Sequence, residues 1–300
     1  MKVGGKIAVA VVSALLGFGF ATAGECEELV NRIKVPEPEG YVRILADSEL
    51  YRLLDKAESA DTENKTLARF IRVDTVDGEG NIRDGANIAD GLMSFRVIKK
   101  LKGRTFSYAD FAKYRDEMSS ELEASLRANK RSDLAKKAAA AQDDALKSVG
   151  VETKTTLGEI ETVGCDKVGT RALAFGVMRQ EFLESEGKTE TYYDVSSQFQ
   201  AWCEGSLFTL TRLALVDDPG KAKKAHEASV QALNAWFEAI RAASVLPGDE
   251  VLRYADRKLK DAPGSGAGNA FSGAASNALI YALVGGVIGA VMSLLRKRRQ

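Results

Sequence analysis

The stretch that decides the fold is residues 171–215, RALAFGVMRQEFLESEGKTETYYDVSSQFQAWCEGSLFTLTRLAL. Apolar and polar residues alternate in three runs, and the short turn sequences Glu186-Gly187-Lys188 and Glu204-Gly205 separate the runs. Alternation with a period of two is typical of strands that bury one face. Turns this short join antiparallel neighbours. We therefore predict antiparallel strands at 171–183, 190–203 and 206–215.

The residues on either side extend this pattern. A run at 159–165, followed by the turn Asp166-Lys167-Val168-Gly169, predicts a first strand and makes a four-stranded meander. After the meander, Asp218 is a typical N-cap residue, and Pro219 is a typical residue for the first position of a helix. An apolar stripe follows at helical spacing: Val230, Leu233, Phe237 and Ile240. A sheet covered by helices, an α+β fold, is the result we expect.

The region before the meander also mixes helices and strands. Ser107 and Asp110 have the spacing of a capping box, and Phe106 and Phe111 that of a hydrophobic staple. The stripe after this start is Phe111, Tyr114, Met118, Leu122 and Leu126. Further helices are predicted at 48–57 and 132–148, and strands at 41–45, 67–76 and 92–100.

This order of elements resembles the PsbP-like fold, shared by the photosystem PsbP protein, the bacterial DcrB family and related exported proteins. The resemblance covers residues 106–245 and includes Leu157-Gly158, Tyr192-Tyr193, the run 205–211 and Trp236-Phe237. The Ala-rich insertion at 132–148 departs from the compact pattern. The resemblance implies an α/β/α sandwich and mostly non-enzymatic roles in binding or assembly, and it brings no catalytic residues.

The N-terminus has the order of a secretory signal peptide. Lys2 and Lys6 precede an apolar run at 7–20, and the small residues Ala21-Thr22-Ala23 follow it. An uncleaved anchor is the alternative, but a run of this length falls short of the roughly twenty residues that a spanning helix needs. We expect residues 1–23 to be removed after Ala23 and 24–260 to be an exported domain.

The C-terminus has the pattern of a membrane anchor. Residues 261–273 are a Gly/Ser-rich tether, 274–295 are apolar and uncharged, and 296–300 are a basic tail, RKRRQ. An uncharged run closed by a basic cluster indicates a transmembrane helix with the cluster in the cytoplasm. The predicted address is therefore the inner (plasma) membrane, crossed once, with the domain on the periplasmic side. A buried core helix and a sorting tail that is removed are the alternatives.

The charge distribution argues against nucleic acid as a partner. The chain has 42 basic and 42 acidic residues, but Lys2, Lys6 and the four basic residues of 296–299 lie in the terminal segments. The region between them therefore carries a net charge of about −6. An acidic domain binds a polyanion poorly.

Three cysteines, Cys26, Cys165 and Cys203, would lie in a compartment where disulfides persist. Cys165 and Cys203 end the first and third strands of the meander, so one strand would separate them. Two strand spacings, roughly 9–10 Å, exceed what a disulfide spans unless the strand order differs or a bulge intervenes. A Cys165–Cys203 bond, a bond that uses Cys26 and the absence of any disulfide all stay open.

Small residues recur at four-residue spacing inside the predicted transmembrane helix. They are Ala282, Gly285, Gly286, Gly289 and Ala290. This spacing lets two helices approach closely, so a homodimer or association with a membrane complex is the alternative it suggests. The transmembrane helix itself implies the lipid bilayer as a partner.

The candidates for chemistry favour structural roles. His226 lies on the apolar stripe of the last predicted helix, where we expect it to pack under the sheet. Asp217-Asp218 lies at a helix start and Asp143-Asp144 on a helix. The Gly-rich stretches at 78–80 and 264–268 lack the Lys-Ser/Thr of a phosphate loop. No catalytic, cofactor or metal site follows from these residues.

Two functions from different classes fit this reading. The first is a membrane-anchored extracytoplasmic binding or assembly module without catalysis. The alternative is an extracytoplasmic hydrolase whose carboxylates or thiol come together from distant parts of the chain. A deep polar pocket with converging acids would favour the hydrolase, and filled sheet–helix interfaces would favour the binding module.

Mass spectrometry of the intact protein from membranes tests both predicted ends. We expect a mature chain that begins at Gly24 and ends at Gln300. A chain that retains Met1 would contradict signal-peptide cleavage, and one that lacks the residues after the tether would support the sorting tail.

Overall fold

The computed structural model describes residues 28–30, 33–78, 82–83, 86–99, 106–129, 133–148, 150, 152–185 and 187–244. Within these ranges, seven antiparallel strands form one sheet in the order β3-β4-β5-β9-β8-β7-β6. The strands are β3 (Tyr41–Arg43), β4 (Asn64–Arg72), β5 (Met93–Ile98), β6 (Lys154–Val168), β7 (Ala172–Ser185), β8 (Lys188–Cys203) and β9 (Ser206–Val216). A separate two-stranded ribbon is formed by β1 (Glu28–Val30) and β2 (Ile33–Lys34).

Four α-helices accompany the sheet in the described part of the chain. They are α1 (Glu49–Ala57), α2 (Tyr108–Asn129), α3 (Asp133–Ser148) and α4 (Ala222–Ser244). The predicted α+β class is therefore confirmed. The four-stranded meander is confirmed as β6 to β9, with β6 beginning five residues earlier than predicted.

One face of the sheet is covered by α4 and the β1–β2 ribbon. The apolar stripe of α4, with Leu233, Phe237 and Ile240, packs on Phe199 and Phe208. Trp236 packs edge-on against Phe70, and its ring N–H donates to the Pro36 carbonyl oxygen at 2.8 Å. Burying each of these large side chains contributes about 1.5–3 kcal/mol, so this apolar contact holds α4 on the sheet.

The opposite face is covered by the other three helices. Phe111 and Tyr114 of α2 pack against Phe175 of β7. Leu54 of α1 and Leu146 of α3 belong to a neighbouring cluster on the same face, with Ile71 and Leu183 of the sheet. Helices lie on both faces, because alternate side chains of β7 point to opposite sides of the sheet and both sets include apolar residues.

Two predicted helix starts are confirmed by their caps. The Asp110 N–H donates to the Ser107 hydroxyl at 3.1 Å, and the Ser107 N–H donates to the Asp110 carboxylate at 3.3 Å, which is a capping box. Asp218 accepts from the Gly220 N–H at 2.8 Å. The turn it caps, Pro219–Lys221, is a 3-10 helix that leads directly into α4.

The strands before the meander differ from their predicted bounds. The predicted strand at 67–76 begins earlier and ends at Arg72, because the chain turns there into a 3-10 helix, Val73–Thr75, whose Thr75 hydroxyl donates to the Arg72 carbonyl oxygen at 2.6 Å. In β5 all six residues are buried. Both faces of this strand are therefore covered.

The predicted signal peptide (1–23), tether (261–273), transmembrane helix (274–295) and basic tail (296–300) lie outside the described residues. Within the described residues, no helix is both long enough and apolar enough to cross a membrane.

Helix α3 is attached to the start of β6 by one carboxylate. Asp143 accepts from the Thr153 hydroxyl at 2.9 Å, from the Thr155 hydroxyl at 2.7 Å and from the Thr155 N–H at 3.0 Å. The next residue, Asp144, is exposed. Asp143 therefore has a structural role, as the sequence predicts. Its carboxylate is half-buried in the contact with β6, whereas the sequence predicts an exposed helix surface.

This attachment can be tested with a matched pair of variants. We expect Asp143→Ala to lower the free energy of unfolding by about 1–3 kcal/mol, because it leaves the Thr155 donors without their acceptor. Asp144→Ala should change it by less than about 0.5 kcal/mol, as surface substitutions do. Urea unfolding measures both, and equal effects would contradict the anchoring role.

Candidate functional site

An open part of the sheet lies beyond the start of α4. The helix packs on β7 and β8 as far as Met178 and Val195. Past these residues Gln180 and Phe182 are half-buried, and Glu184 is exposed. This part of the sheet therefore presents side chains on the α4 face that no described helix covers.

A cavity of about 400 Å³ lies at the border between the covered and open parts. Its lining comes from β6, β7, β8 and the turn before α4: Glu159, Glu161, Met178, Gln180, Tyr193, Pro219 and Gly220. Cavities of this volume are within the usual range for small-ligand sites. We define these seven residues as the border cavity.

Strand register explains why these side chains meet. Gln180 pairs with Tyr193 across β7 and β8, and the Gln180 amide N–H donates to the Tyr193 hydroxyl oxygen at 3.2 Å. On the other side, β6 has a bulge between Leu157 and Ile160. A bulge places extra residues against the partner strand and redirects their side chains. Here it places Glu159 beside Gln180.

Gly158 makes room for this arrangement. A Cβ atom at this position would lie 2.7 Å from both Gln180 Oε1 and Phe182 Cε2. Those two side chains can therefore lie over the β6 backbone only if residue 158 has no side chain. The glycine thus makes room for Gln180, one of the residues that line the border cavity.

The border cavity combines polar and apolar groups. Glu159 and Glu161 supply acceptors, Tyr193 a hydroxyl and Gln180 an amide, while Met178 and Pro219 supply apolar surface. None of the described residues that line it is basic, and none is a histidine, cysteine or serine. Carboxylates, a hydroxyl and an amide beside apolar surface are groups that recognise polar ligands, and carboxylates also serve as general acids and bases.

Converging acids do occur, but they are sealed beneath α3. Arg179 is fully buried on β7, and its guanidinium donates to Asp194 on β8, with Nη2 at 3.0 and 2.9 Å from the two carboxylate oxygens. Glu181 approaches the same Nη2 at 3.2 Å. Gln142 of α3 is completely buried over this group.

Burial in this cluster raises the pKa of Glu181 to about 8, with the Asp194 charge adding to the rise and Arg179 opposing it. Burial also raises the pKa of Asp194. One guanidinium cannot neutralise two carboxylates, so the pair holds a proton near neutral pH. We assign it to Glu181, because Asp194 has the closer contacts with Arg179.

A second buried charge network joins α1 to the sheet. Glu58 accepts from Arg69 at 2.8 Å, from the Thr66 hydroxyl at 2.7 Å and from Arg96 at 3.4 Å. Burial alone would raise the pKa of Glu58, but Arg69 and Arg96 outweigh it and lower the pKa to about 2. The adjoining cavity is only about 10 Å³, room for one water molecule at most. This network is structural.

His226 lies where the sequence predicts, buried between α4 and the sheet. Its Nδ1 is 2.9 Å from the hydroxyl of Ser197, a residue 29 positions away that the sequence does not suggest as a neighbour. Ser197 is fully buried, so no substrate can reach its hydroxyl. The pair therefore lacks the access that a nucleophile and its base require.

Strand register separates the two cysteines of the meander. Cys165 pairs with Phe175, which pairs with Gln198, five residues before Cys203. No disulfide joins Cys165 to Cys203. Cys203 is buried against the α4 cluster, and this burial raises the pKa of its thiol to about 12. A bond that uses Cys26 stays a prediction, because Cys26 lies outside the described residues.

The other predicted sites are distributed as follows. Asp217 forms an exposed ion pair with Lys221 at 2.8 Å, and Asp218 caps the turn before α4. Ala282, Gly285, Gly286, Gly289 and Ala290 lie outside the described residues. Among the described residues, no group of three or more His, Cys, Asp and Glu side chains could hold a metal ion.

Sequence reasoning missed the border cavity and the Arg179 cluster. One signal was available: Glu159 and Glu161 flank Ile160 with a period of two, which places both acids on one face of β6. A second was the arginine at 179, which directly follows the apolar run at 172–178 within one predicted strand. Neither signal reveals its partners, because those come from other strands.

No protein-family model, curated protein or solved structure matches this chain. Its fold and site define it as an α+β domain with a seven-stranded antiparallel sheet, helices on both faces and an acidic cavity at the border of the open sheet.

The raised pKa of Glu181 should make the free energy of unfolding depend on pH, and Glu181→Gln should remove that part of the dependence. The pKa of Glu181 is about 8 in the folded protein and about 4.5 ordinarily. The stability that this carboxyl contributes is therefore fully present below pH 4.5 and is lost as pH rises toward 8. Glutamine mimics the protonated acid. At pH 8 we expect the variant to be more stable by at least about 1.4 kcal/mol, the value of one pKa unit.

Urea unfolding at pH 5 and pH 8 measures this difference. Glu184→Gln, on the same strand but exposed, is the matched control and should keep the dependence of the unchanged protein. Identical pH profiles for Glu181→Gln and the unchanged protein would show that Glu181 is ionised in the fold.

Proposed function

We propose that this protein is a membrane-anchored extracytoplasmic binding or assembly module that uses the border cavity as its recognition surface. The observation that carries the proposal is the separation of two kinds of polar groups. Three ionisable groups whose pKa values burial shifts, Glu181, Asp194 and His226, are sealed inside packed interfaces. The accessible groups of the border cavity offer hydrogen bonds, negative charge and apolar contact.

The address is part of the same proposal. It is supported by the signal-peptide pattern at 1–23 and by the apolar run at 274–295 with its basic tail. Both predict a domain on the periplasmic side of the inner membrane and a cytoplasmic C-terminus. A homodimer or a membrane-complex subunit fits the small residues at 282–290.

The PsbP-like resemblance also remains a proposal. A sheet with helices on both faces, and a meander followed by a long C-terminal helix, supports it. The mostly non-enzymatic roles of that fold agree with a binding function. The hydrolase alternative has less support. The buried carboxylates Glu181 and Asp194 line no described cavity that a substrate could enter, and Glu159 and Glu161 of the border cavity have no histidine, cysteine or serine beside them in its lining.

Affinity purification of the full chain from membranes tests the recognition surface. We expect a partner or ligand to co-purify with the unchanged protein and to be depleted at least tenfold in the double variant Glu159→Gln/Glu161→Gln, about 1.4 kcal/mol or more in binding. The matched control is Glu184→Gln, an exposed carboxylate on β7 outside the cavity, which should retain the partner.

Three outcomes would oppose the proposal. Equal recovery with all variants would exclude the border cavity as the recognition surface. Absence of a partner together with measurable hydrolytic turnover would favour the enzyme. Resistance of the domain to protease added to spheroplasts would contradict its periplasmic address.

A further inference from the structure

The imidazole of His226, the single histidine of the chain, lies in a slot between α4 and the sheet. The slot follows one row of paired residues across three strands: Gly164 on β6, Gly176 on β7 and Ser197 on β8. A Cβ atom at Gly176 would lie 2.4 Å from Nδ1, and one at Gly164 would lie 2.7 Å from Cδ2. The ring therefore fits because both positions lack a side chain.

The slot satisfies one ring nitrogen and leaves the other without a partner. Nδ1 is 2.9 Å from the Ser197 hydroxyl. Nε2 is buried and has no hydrogen-bond partner among the described residues. A neutral imidazole has one N–H donor and one acceptor nitrogen, whereas the protonated ring has two donors. Protonation would thus add a charged N–H at a buried position that offers no acceptor.

The charged groups near the ring do not offset this cost. Asp166 on β6 and Glu227 on α4 both favour the protonated ring, but both are exposed to solvent. The other two strands of the slot present Gly176 and Ser197, which do not ionise. Burial outweighs the two carboxylates and lowers the pKa of His226 below its ordinary value of 6.5.

We propose that His226 makes the docking of α4 acid-sensitive, so that a proton taken up from solvent at Nε2 loosens the helix from the sheet. In the loosened state the imidazolium is hydrated, and the burial cost disappears. Because α4 precedes the predicted tether and transmembrane helix, its release would lengthen the connection between the sheet and the membrane.

The sign and the pH window follow from the ordinary and folded pKa values. The docked state holds fewer protons than the loosened state between pH 6.5 and the lower folded pKa, so docking weakens as pH falls through this window. Glu181 acts with the opposite sign, since its folded pKa is about 8. Glu58, with a folded pKa of about 2, acts mainly below pH 4.5. Measurements from pH 7.5 to 5.0 on matched variants therefore isolate His226.

Nuclear magnetic resonance of the full chain in detergent micelles, purified with a tag that lacks histidine, tests the proposal directly. A single histidine gives one set of ring C–H signals, and amide exchange reports the docking of α4 at each pH. We expect the ring to remain neutral through pH 6.5. The protection factors of α4 amides should fall by up to tenfold per pH unit below it.

Two variants provide the comparison. His226→Asn keeps a polar atom near Ser197 but cannot be protonated, so its α4 protection should not fall on acidification. Lys223→Gln, an exposed change on the same helix, should behave like the unchanged protein. A ring that titrates at or above pH 6.5 without loss of α4 protection would overturn the proposal, as would the same loss in His226→Asn.

A surface variant covers the case in which His226→Asn does not fold. Asp166→Asn removes an exposed carboxylate that favours the protonated ring. The docked ring should then hold still fewer protons, so α4 should lose at least as much protection on acidification as in the unchanged protein. A smaller loss than in the unchanged protein would contradict the linkage between ring protonation and α4 docking.

Discussion

The pairing of β7 with β8 runs through fourteen consecutive residue pairs, from Ala172 opposite Ala201 to Ser185 opposite Lys188, without a bulge. Most of the polar chemistry of the molecule depends on this register. It places Arg179 opposite Asp194 on the face beneath α3, and Gln180 opposite Tyr193 on the face of the border cavity. A slip by one residue would exchange the faces of one strand and bring charged groups among apolar ones.

The two faces of the sheet bury different kinds of side chain. The α4 face is largely apolar, and stacked aromatic residues such as Phe95 and Phe208 fill it. The opposite face contains Arg69, Arg96 and Arg179 almost without solvent exposure. Buried charge is costly unless it is paired and hydrogen-bonded, and each of these guanidiniums has a carboxylate within 3.2 Å. Of the three carboxylates, Asp194 lies on β8, Asp61 in a loop and Glu58 at the end of α1, so only the Glu58 pair joins a helix to the sheet.

The border cavity exists because β7 and β8 are longer than the helix that covers them. Helix α4 starts at Ala222, which packs near Met178, and the strands continue beyond that point. A binding surface on rigid paired strands keeps its geometry without a ligand, which favours recognition. The buried ionisable groups with shifted pKa values, Glu181, Asp194 and His226, lie elsewhere, under helices, where they affect stability and its pH dependence. A binding module is consistent with this division.

The sequence by itself determined the local structure. The two-residue alternation over 171–215 predicted the meander, and the Ser107 and Asp218 caps predicted two helix starts, because periodicity and capping depend on residues close in the chain. The predictions for the two chain ends rest on the same kind of local pattern. Only the tertiary structure decided that β5 pairs with β9, that Ser197 meets His226, and that Glu58 joins Arg96. These neighbours are distant in sequence, and periodicity reports which way a side chain faces but not what it faces.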